Sequence, residues 1–192
     1  MSLVSTPNQD VRVVAEPPRA VPLRVEHVYE AHVDFVWRSA RSLGVRELHI
    51  DDVVQEVFMV VQRRLAEFEG RSNIKTWLFG ITRHVVRAHI RQQARSRTQT
   101  ESSADLADPR GSCAESQLAA MEGARLLYAL LDELEPDLRM VFVLTELEEM
   151  SGPEIADALD LQLSNVYACV RRARIAFDAA LRRHRARQAR FQ

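Results

Sequence analysis

Four arginines, Arg83, Arg87, Arg91 and Arg95, recur at every fourth residue, and Trp77 and Phe79 stand just ahead of them. A helix turns ~100° per residue, so each step of four drifts only ~40° and the guanidinium groups stay on one side. The stretch from Arg71 to Thr100 holds seven Arg or Lys residues and no Asp or Glu. Guanidinium groups neutralise phosphates and aromatic rings stack on unpaired bases, the two parts that a single-strand nucleic-acid site needs. A solvated basic face is the other reading of such a ladder. A second polar and basic set, Asn165, Ala168, Arg171, Arg172 and Arg174, suits a major groove in which arginine reads guanine or holds phosphate.

Catalytic chemistry has little support. The chain contains no Gly-rich phosphate loop, HExxH or nucleophile elbow, so neither an enzyme nor a small-molecule substrate is indicated. Cys113 and Cys169 lack CxxC spacing and neighbouring histidines, which argues against a zinc site and a disulfide framework and fits a reducing cytoplasm. His27 and His32 are five residues apart and leave one face; His49 and His89 have no evident ligand partners. No metal and no cofactor is expected. No apolar run approaches the ~18 residues of a membrane span, and the first twenty-two residues lack the apolar core of a signal peptide.

The elements that must position these groups are helical. Pro7, Pro17, Pro18 and Pro22 fall in the first twenty-two residues, Pro109 in a polar stretch, and Pro136 and Pro153 where helices start. Apolar periodicity predicts helices over 23–43, ended by Gly44, over 51–68, ended by Gly70, and over 73–97. Further helices are expected over 115–134, 136–148, 153–159 and 165–188. The formal net charge of the chain is only -1, yet it is segregated: -3 over residues 1–70, +7 over 71–100, -12 over 101–160 and +7 over 161–192. Two basic blocks separated by an acidic one imply two nucleic-acid contacts. The fold class that follows is all-α: a disordered tail (1–22), a helical domain (23–97), a flexible acidic linker (98–116) and a second small helical domain with a basic end (117–192).

That second domain carries the most specific pattern, from Ser151 to Arg174. Ser151 and Glu154 have capping-box spacing, Pro153 presets the first turn, and Ile155 with Leu159 points to a core. Small Ala156 permits a close crossing, a short turn runs through Leu161 to Leu163, and Ser164 is placed to cap the next helix. Val166 and Val170 pack that helix back, leaving its basic face free, as in a helix-turn-helix. A plain helical hairpin with a basic surface is the alternative.

In motif order and spacing, Asp51-Asp-Val-Val-Gln-Glu-Val-Phe, Phe68-Glu-Gly-Arg-Ser, Thr76-Trp-Leu-Phe-Gly-Ile and the helix-turn-helix make the chain resemble extracytoplasmic-function sigma factors of the sigma-70 family. Residues 24–97 are similar to the family's region two and 117–185 to its region four. The resemblance implies a non-catalytic RNA polymerase subunit that recognises promoter minus-thirty-five and minus-ten elements and initiates transcription. Asp52, Gln55 and Glu56, with Asp51 and Phe58 beside them, would dock on the clamp helices of the largest polymerase subunit. Arg71, Ser72, Asn73, Ile74, Lys75, Trp77, Arg83, His84, Arg87 and Arg91 would open and hold the minus-ten element as single strands. Ser164, Asn165, Tyr167, Ala168, Arg171, Arg172 and Arg174 would take the duplex minus-thirty-five element. An anti-sigma factor is a further expected partner.

The chain departs from the family's usual pattern at His84, Ala88 and Gly80, and at Tyr167, Ala168 and Cys169 of the recognition helix. Those departures prevent transfer of a promoter sequence. Trp77 lies in an apolar pattern with Ile74, Leu78 and Ile81, which favours a core role for its ring over a base platform. A helix-turn-helix regulator with a ligand-sensing or dimerising front domain is the rival reading. It accounts for the back half and leaves the acid-free aromatic and arginine stretch unused.

Overall fold

The computed structural model describes residues 23–97 and 115–189. The expected tail, most of the expected linker and Cys113 lie outside the described residues. Three helices form the first module: α1 (Val25–Ser42), α2 (Glu47–Arg64), followed by a 3-10 turn at Leu65–Glu67, and α3 (Ile74–Arg97). The second contains α4 (Glu115–Asp132), α5 (Pro136–Phe142), α6 (Gly152–Leu159) and α7 (Leu163–Gln188). Among the described residues no strand occurs.

Local chemistry sets these boundaries. Gly44 closes α1 at φ 94°, and Gly70 lies before α3 at φ 70°, left-handed values that cost glycine little. The Asn73 carboxamide oxygen accepts from the Lys75 backbone N–H at 3.0 Å and caps α3, which carries no acidic residue in its first turn. At α6 both halves of the capping box form: Glu154 N–H points to the Ser151 hydroxyl, and the Glu154 carboxylate accepts from Ser151 N–H at 2.8 Å.

Several helix ends differ from expectation: α2 starts at Glu47 rather than at 51 and gives way to the 3-10 turn at Leu65, and α5 and α7 differ too. The segment 136–148 does not stay α-helical: α5 stops at Phe142 and widens into a π-turn over Val143–Leu147, closed by Glu148 N–H to the Val143 carbonyl at 3.1 Å. Glu149 then takes φ 55°. The wider turn re-aims the residues after it, and Glu148 points inward, 3% exposed. α7 starts at Leu163, so Gln162 and not Ser164 is its N-cap, without a side-chain cap bond. Asp160 adopts the left-handed conformation at φ 58° and ends α6 abruptly, which shortens the turn.

One core joins the modules. Phe35, Val36, Ile50, Val53, Val57, Leu78, Phe79 and Val86 from the first cluster with Val141, Leu144, Met150, Ile155, Leu159 and Val166 from the second. A smaller core, Leu131, Leu134, Leu138, Phe142, Val143 and Ala173, holds α4 and α5 on α7, with the Phe142 and Phe177 rings stacked 4.5 Å apart.

Because the capping box fixes the entry of α6 into the shared core, Ser151→Ala is expected to cost about 1 kcal/mol of unfolding free energy. Urea denaturation followed by circular dichroism checks it.

Candidate nucleic-acid interface

The acidic surface on α2 is built by a helix with two faces. Val53, Val54, Val57 and Val61 turn into the core, which leaves Asp51, Asp52, Gln55 and Glu56 exposed. Exposed Leu48 and Met59 flank them on the same helix. Phe58 is buried, its ring edge-on to Tyr29 at 4.7 Å, so it supports this surface from below.

On α3, Leu78, Phe79, Val85 and Val86 are buried and the arginine ladder lies outside. Arg87, Arg91 and Arg95 are exposed and Arg83 is half-buried. Arg91 donates to the Arg87 carbonyl at 3.2 Å, which lays its side chain along the helix. In the preceding loop Arg71 pairs with Glu69, and Ser72 is exposed. Ile74 is partly buried against the core.

Between α2 and α3 opens a cleft of about 350 Å³ lined by Val60, Arg64, Thr76, Trp77, Gly80, Ile81 and His84. Trp77 does two things there. It packs on the shared core and against Phe68, with ring centroids 5.2 Å apart, and still presents ring to the cleft. A Cβ at Gly80 would meet no atom within 4 Å, so this residue leaves the cleft open. An aromatic wall, a guanidinium at Arg64 and an imidazole at the rim match the demands of an unstacked base and its phosphate. Sequence reasoning missed Val60, Arg64, Thr76, Gly80 and Ile81 as lining residues; their spacing from Trp77 on two neighbouring helices is the only signal.

On α7, Ser164, Asn165, Tyr167, Ala168, Arg171, Arg172 and Arg174 are all exposed on the side away from buried Val166 and Ala173. Arg174 pairs with Glu146 at 2.8 Å and Arg172 with Glu135 at 3.8 Å. Tyr167 lies over Gly152, where a Cβ would stand 2.9 Å from the tyrosine hydroxyl. Half-buried Cys169 packs against both cores.

The modules also meet through polar groups. Buried Glu148 accepts from Arg38 of α1, and the Lys75 ammonium lies 3.5 Å from its carboxylate while donating to its backbone carbonyl at 2.8 Å. The Glu148 bond holds the Arg38 pKa above its ordinary value against the opposing cost of burial. Burial and the nearby Lys75 charge hold His32 below the ordinary histidine value of 6.5. Asn73 Nδ2 donates to Glu154 at 2.6 Å, and Arg83 donates to the Ala158 carbonyl at 3.2 Å. Arg41 reaches Asp132 at 3.2 Å and lies over the Tyr128 ring. Among the described residues, no group of three or more His, Cys, Asp or Glu is placed to hold a metal, and no helix is long and apolar enough to cross a membrane.

The described helices thus form a module with an acid-free aromatic and arginine face, followed by a helix-turn-helix. Residues 28–96 match the model of Sigma-70 region 2 and residues 124–177 that of Sigma-70, region 4. The RNA polymerase sigma factor CnrH of Cupriavidus metallidurans is 31% identical over 152 residues, covering 75% of this chain and 79% of that protein. The ECF RNA polymerase sigma-E factor of Escherichia coli strain K12 is 30% identical over 142 residues, covering 67% and 72%. The chain belongs to the extracytoplasmic-function sigma factors of the sigma-70 family. The solved structure of CnrH in complex with the cytosolic domain of CnrY superposes at a TM-score of 0.58 and 29% identity, covering 82% of this chain and 86% of that one. A sigma factor RpoE in complex with the anti-sigma factor NepR from Bartonella quintana shares the fold at a TM-score of 0.63 and 22% identity, covering 82% and 96%. As a member of this family the chain is an RNA polymerase sigma factor. The region 2 match takes the place of the ligand-sensing front domain of the rival reading.

The Ser151 backbone and hydroxyl, then Asn73, hold the Glu154 carboxyl below its ordinary pKa of 4.5. A depressed carboxyl pKa contributes stability above the ordinary value that is lost as pH falls through the lowered one. Asn73→Ala is expected to move the Glu154 titration back toward 4.5 without reaching it, because the Ser151 bonds remain. Carbon-detected NMR titration of the Glu154 carboxyl checks this.

Proposed function

We propose that this sigma factor docks on core RNA polymerase through the exposed acidic face of α2, reads the duplex minus-thirty-five element with α7 and holds the melted minus-ten strand along α3. The observation that carries the reading is the cleft beside Trp77 at the head of the α3 arginine strip. A base drawn out of the stack needs an aromatic wall, and its backbone needs cations; here both occur within a few turns of one helix. Asp52, Gln55 and Glu56 offer carboxylates and an amide to arginines on the clamp helices of the largest subunit, with Leu48 and Met59 adding apolar contact. Asn165, Arg171 and Arg172 share the outward face that a recognition helix requires, with Arg174 at its edge.

Glu135 and Glu146 beside Arg172 and Arg174 are within the C-terminal module, so duplex binding must exchange these exposed pairs for phosphates or base edges. Exposed pairs contribute little, and the exchange is easy. By likeness to CnrH, solved with the cytosolic domain of CnrY, an anti-sigma factor is the expected inhibitor, acting with the polymerase in the cytoplasm.

Run-off transcription by core enzyme with this protein on genomic promoters, with start-site mapping, tests the reading as a whole; no promoter-specific transcript would sink it. Arg172→Ala is expected to weaken duplex minus-thirty-five binding by about 1 to 3 kcal/mol with polymerase binding intact, measured by fluorescence anisotropy and pull-down. Gly80→Leu fills the cleft without a backbone clash and adds helix propensity. It is expected to slow open-complex formation about tenfold, read by permanganate footprinting, while thermal stability holds or rises.

A further inference from the structure

We propose that the C-terminal module acts as an internal mimic of the DNA backbone, masking part of the minus-ten face of the free chain, and that buried Glu148 is the latch that holds it there. The inference rests on the assignment of that face under the proposed function and adds a closed state to it.

Three of the residues assigned to the minus-ten strand, Asn73, Lys75 and Arg83, are occupied by oxygen atoms of the other module. Asn73 holds the Glu154 carboxylate, Lys75 the carboxylate and carbonyl of Glu148, and Arg83 the carbonyl of Ala158. Carboxylate and carbonyl oxygens are the acceptors that phosphates would offer to the same donors. α6 is thereby pinned at both ends against α3. Its start is held by the residue that caps α3, and its end by Arg83, whose guanidinium meets the negative end of the helix.

Glu148 is the group that makes the contact selective. A buried carboxylate needs cations, and Arg38 and Lys75 provide them, each still about a third exposed at its side chain. The Lys75 ammonium also lies 5.6 Å from the centre of the Phe35 ring. Once the modules part, all three charged groups return to water. The mask is partial: His84, Arg87, Arg91 and the α2 surface at Asp52, Gln55 and Glu56 stay exposed. In this closed form the chain can meet a polymerase partner at α2 before it takes up a single strand.

The test uses the full chain and a fluorescein-labelled, randomised single-stranded DNA oligonucleotide. Glu148→Gln keeps the shape and removes the charge. It is expected to enlarge the radius of gyration in small-angle X-ray scattering and to tighten single-strand binding about tenfold, the shift that breaking one buried charge pair can supply. A second variant does not depend on Glu148. In a Cys113→Ser, Cys169→Ala background, Arg41→Cys with Asp132→Cys places thiols across the modules away from every DNA-binding residue; bridging them with a short bis-maleimide is expected to lower single-strand binding relative to the same protein capped with N-ethylmaleimide. A Glu148→Gln chain that stays compact with unchanged affinity overturns the latch, as does an expanded chain with wild-type affinity or a bridged chain that binds as tightly as the capped one. Run-off transcription by holoenzyme containing Lys75→Ala and Arg83→Ala separates the two readings. Loss of transcripts with no effect of Glu148→Gln removes only the latch, whereas full transcription removes the minus-ten assignment on which it rests.

Discussion

A carboxylate taken out of water has to be met by positive charge, and the burial of Glu148 imposes that condition on the whole molecule. Arg38 on α1 and Lys75 at the head of α3 meet it together. The requirement fixes how α1 and α3 face the C-terminal module, because the two cations must converge on one point. Apolar contact supplies the larger favourable part of the free energy, with Ile155, Leu159, Met150 and Val166 entering the core of the first three helices. The charge cluster selects which apolar packing is used. A sliding or rotated arrangement would leave Glu148 unpaired, at a cost of several kcal/mol.

The same condition divides the surfaces. α3 turns its head toward α6 and leaves its later arginines to solvent, while α2 packs behind it with its acidic face outward. α7 packs through Val166 and Ala173 and keeps Asn165, Arg171 and Arg172 outside. One compact arrangement thus exposes the acidic face of α2 and the basic face of α7 and covers the first turns of α3. Tyr167 illustrates the local logic: it leans over Gly152 at the start of α6, so the exposed face of α7 is tied to the helix that supports it.

Much of this was legible in the sequence where one local rule decided the outcome. Gly44 and Gly70 mark helix ends because left-handed backbone favours glycine, and the Ser151 to Glu154 spacing marks the start of α6 because a capping box has only one register. The outward face of α7 follows from the apolar spacing of Val166 and Val170. The fate of Glu148 was not legible. It stands among Glu146 and Glu149 in an acidic run, and only the π-turn after Phe142 decides which of them faces inward. Its partner Arg38 lies 110 residues away, beyond any periodicity. Trp77 was ambiguous for a physical reason: half-buried against Phe68 and open to the cleft, its ring serves the core and borders the candidate site at once.

Electrostatic balance makes such a closed form suited to switching. Desolvation of Glu148 offsets much of the attraction of its two cations, so the intact cluster holds the closed form only modestly, whereas loss of one partner leaves charge uncompensated. The equilibrium between closed and open chains is then set by the Glu148 pairs together with the apolar contact of α6 with α3, opposed by the freedom that two tethered modules regain on parting. A partner moves that equilibrium only by its differential affinity for the two forms. A single strand that must displace Glu154 and the Ala158 carbonyl from Asn73 and Arg83 has such a preference built in, whereas a protein that touches α2 alone has none. On this geometry, docking at α2 leaves the modules as they are, and separation has to come from contacts that engage both of them.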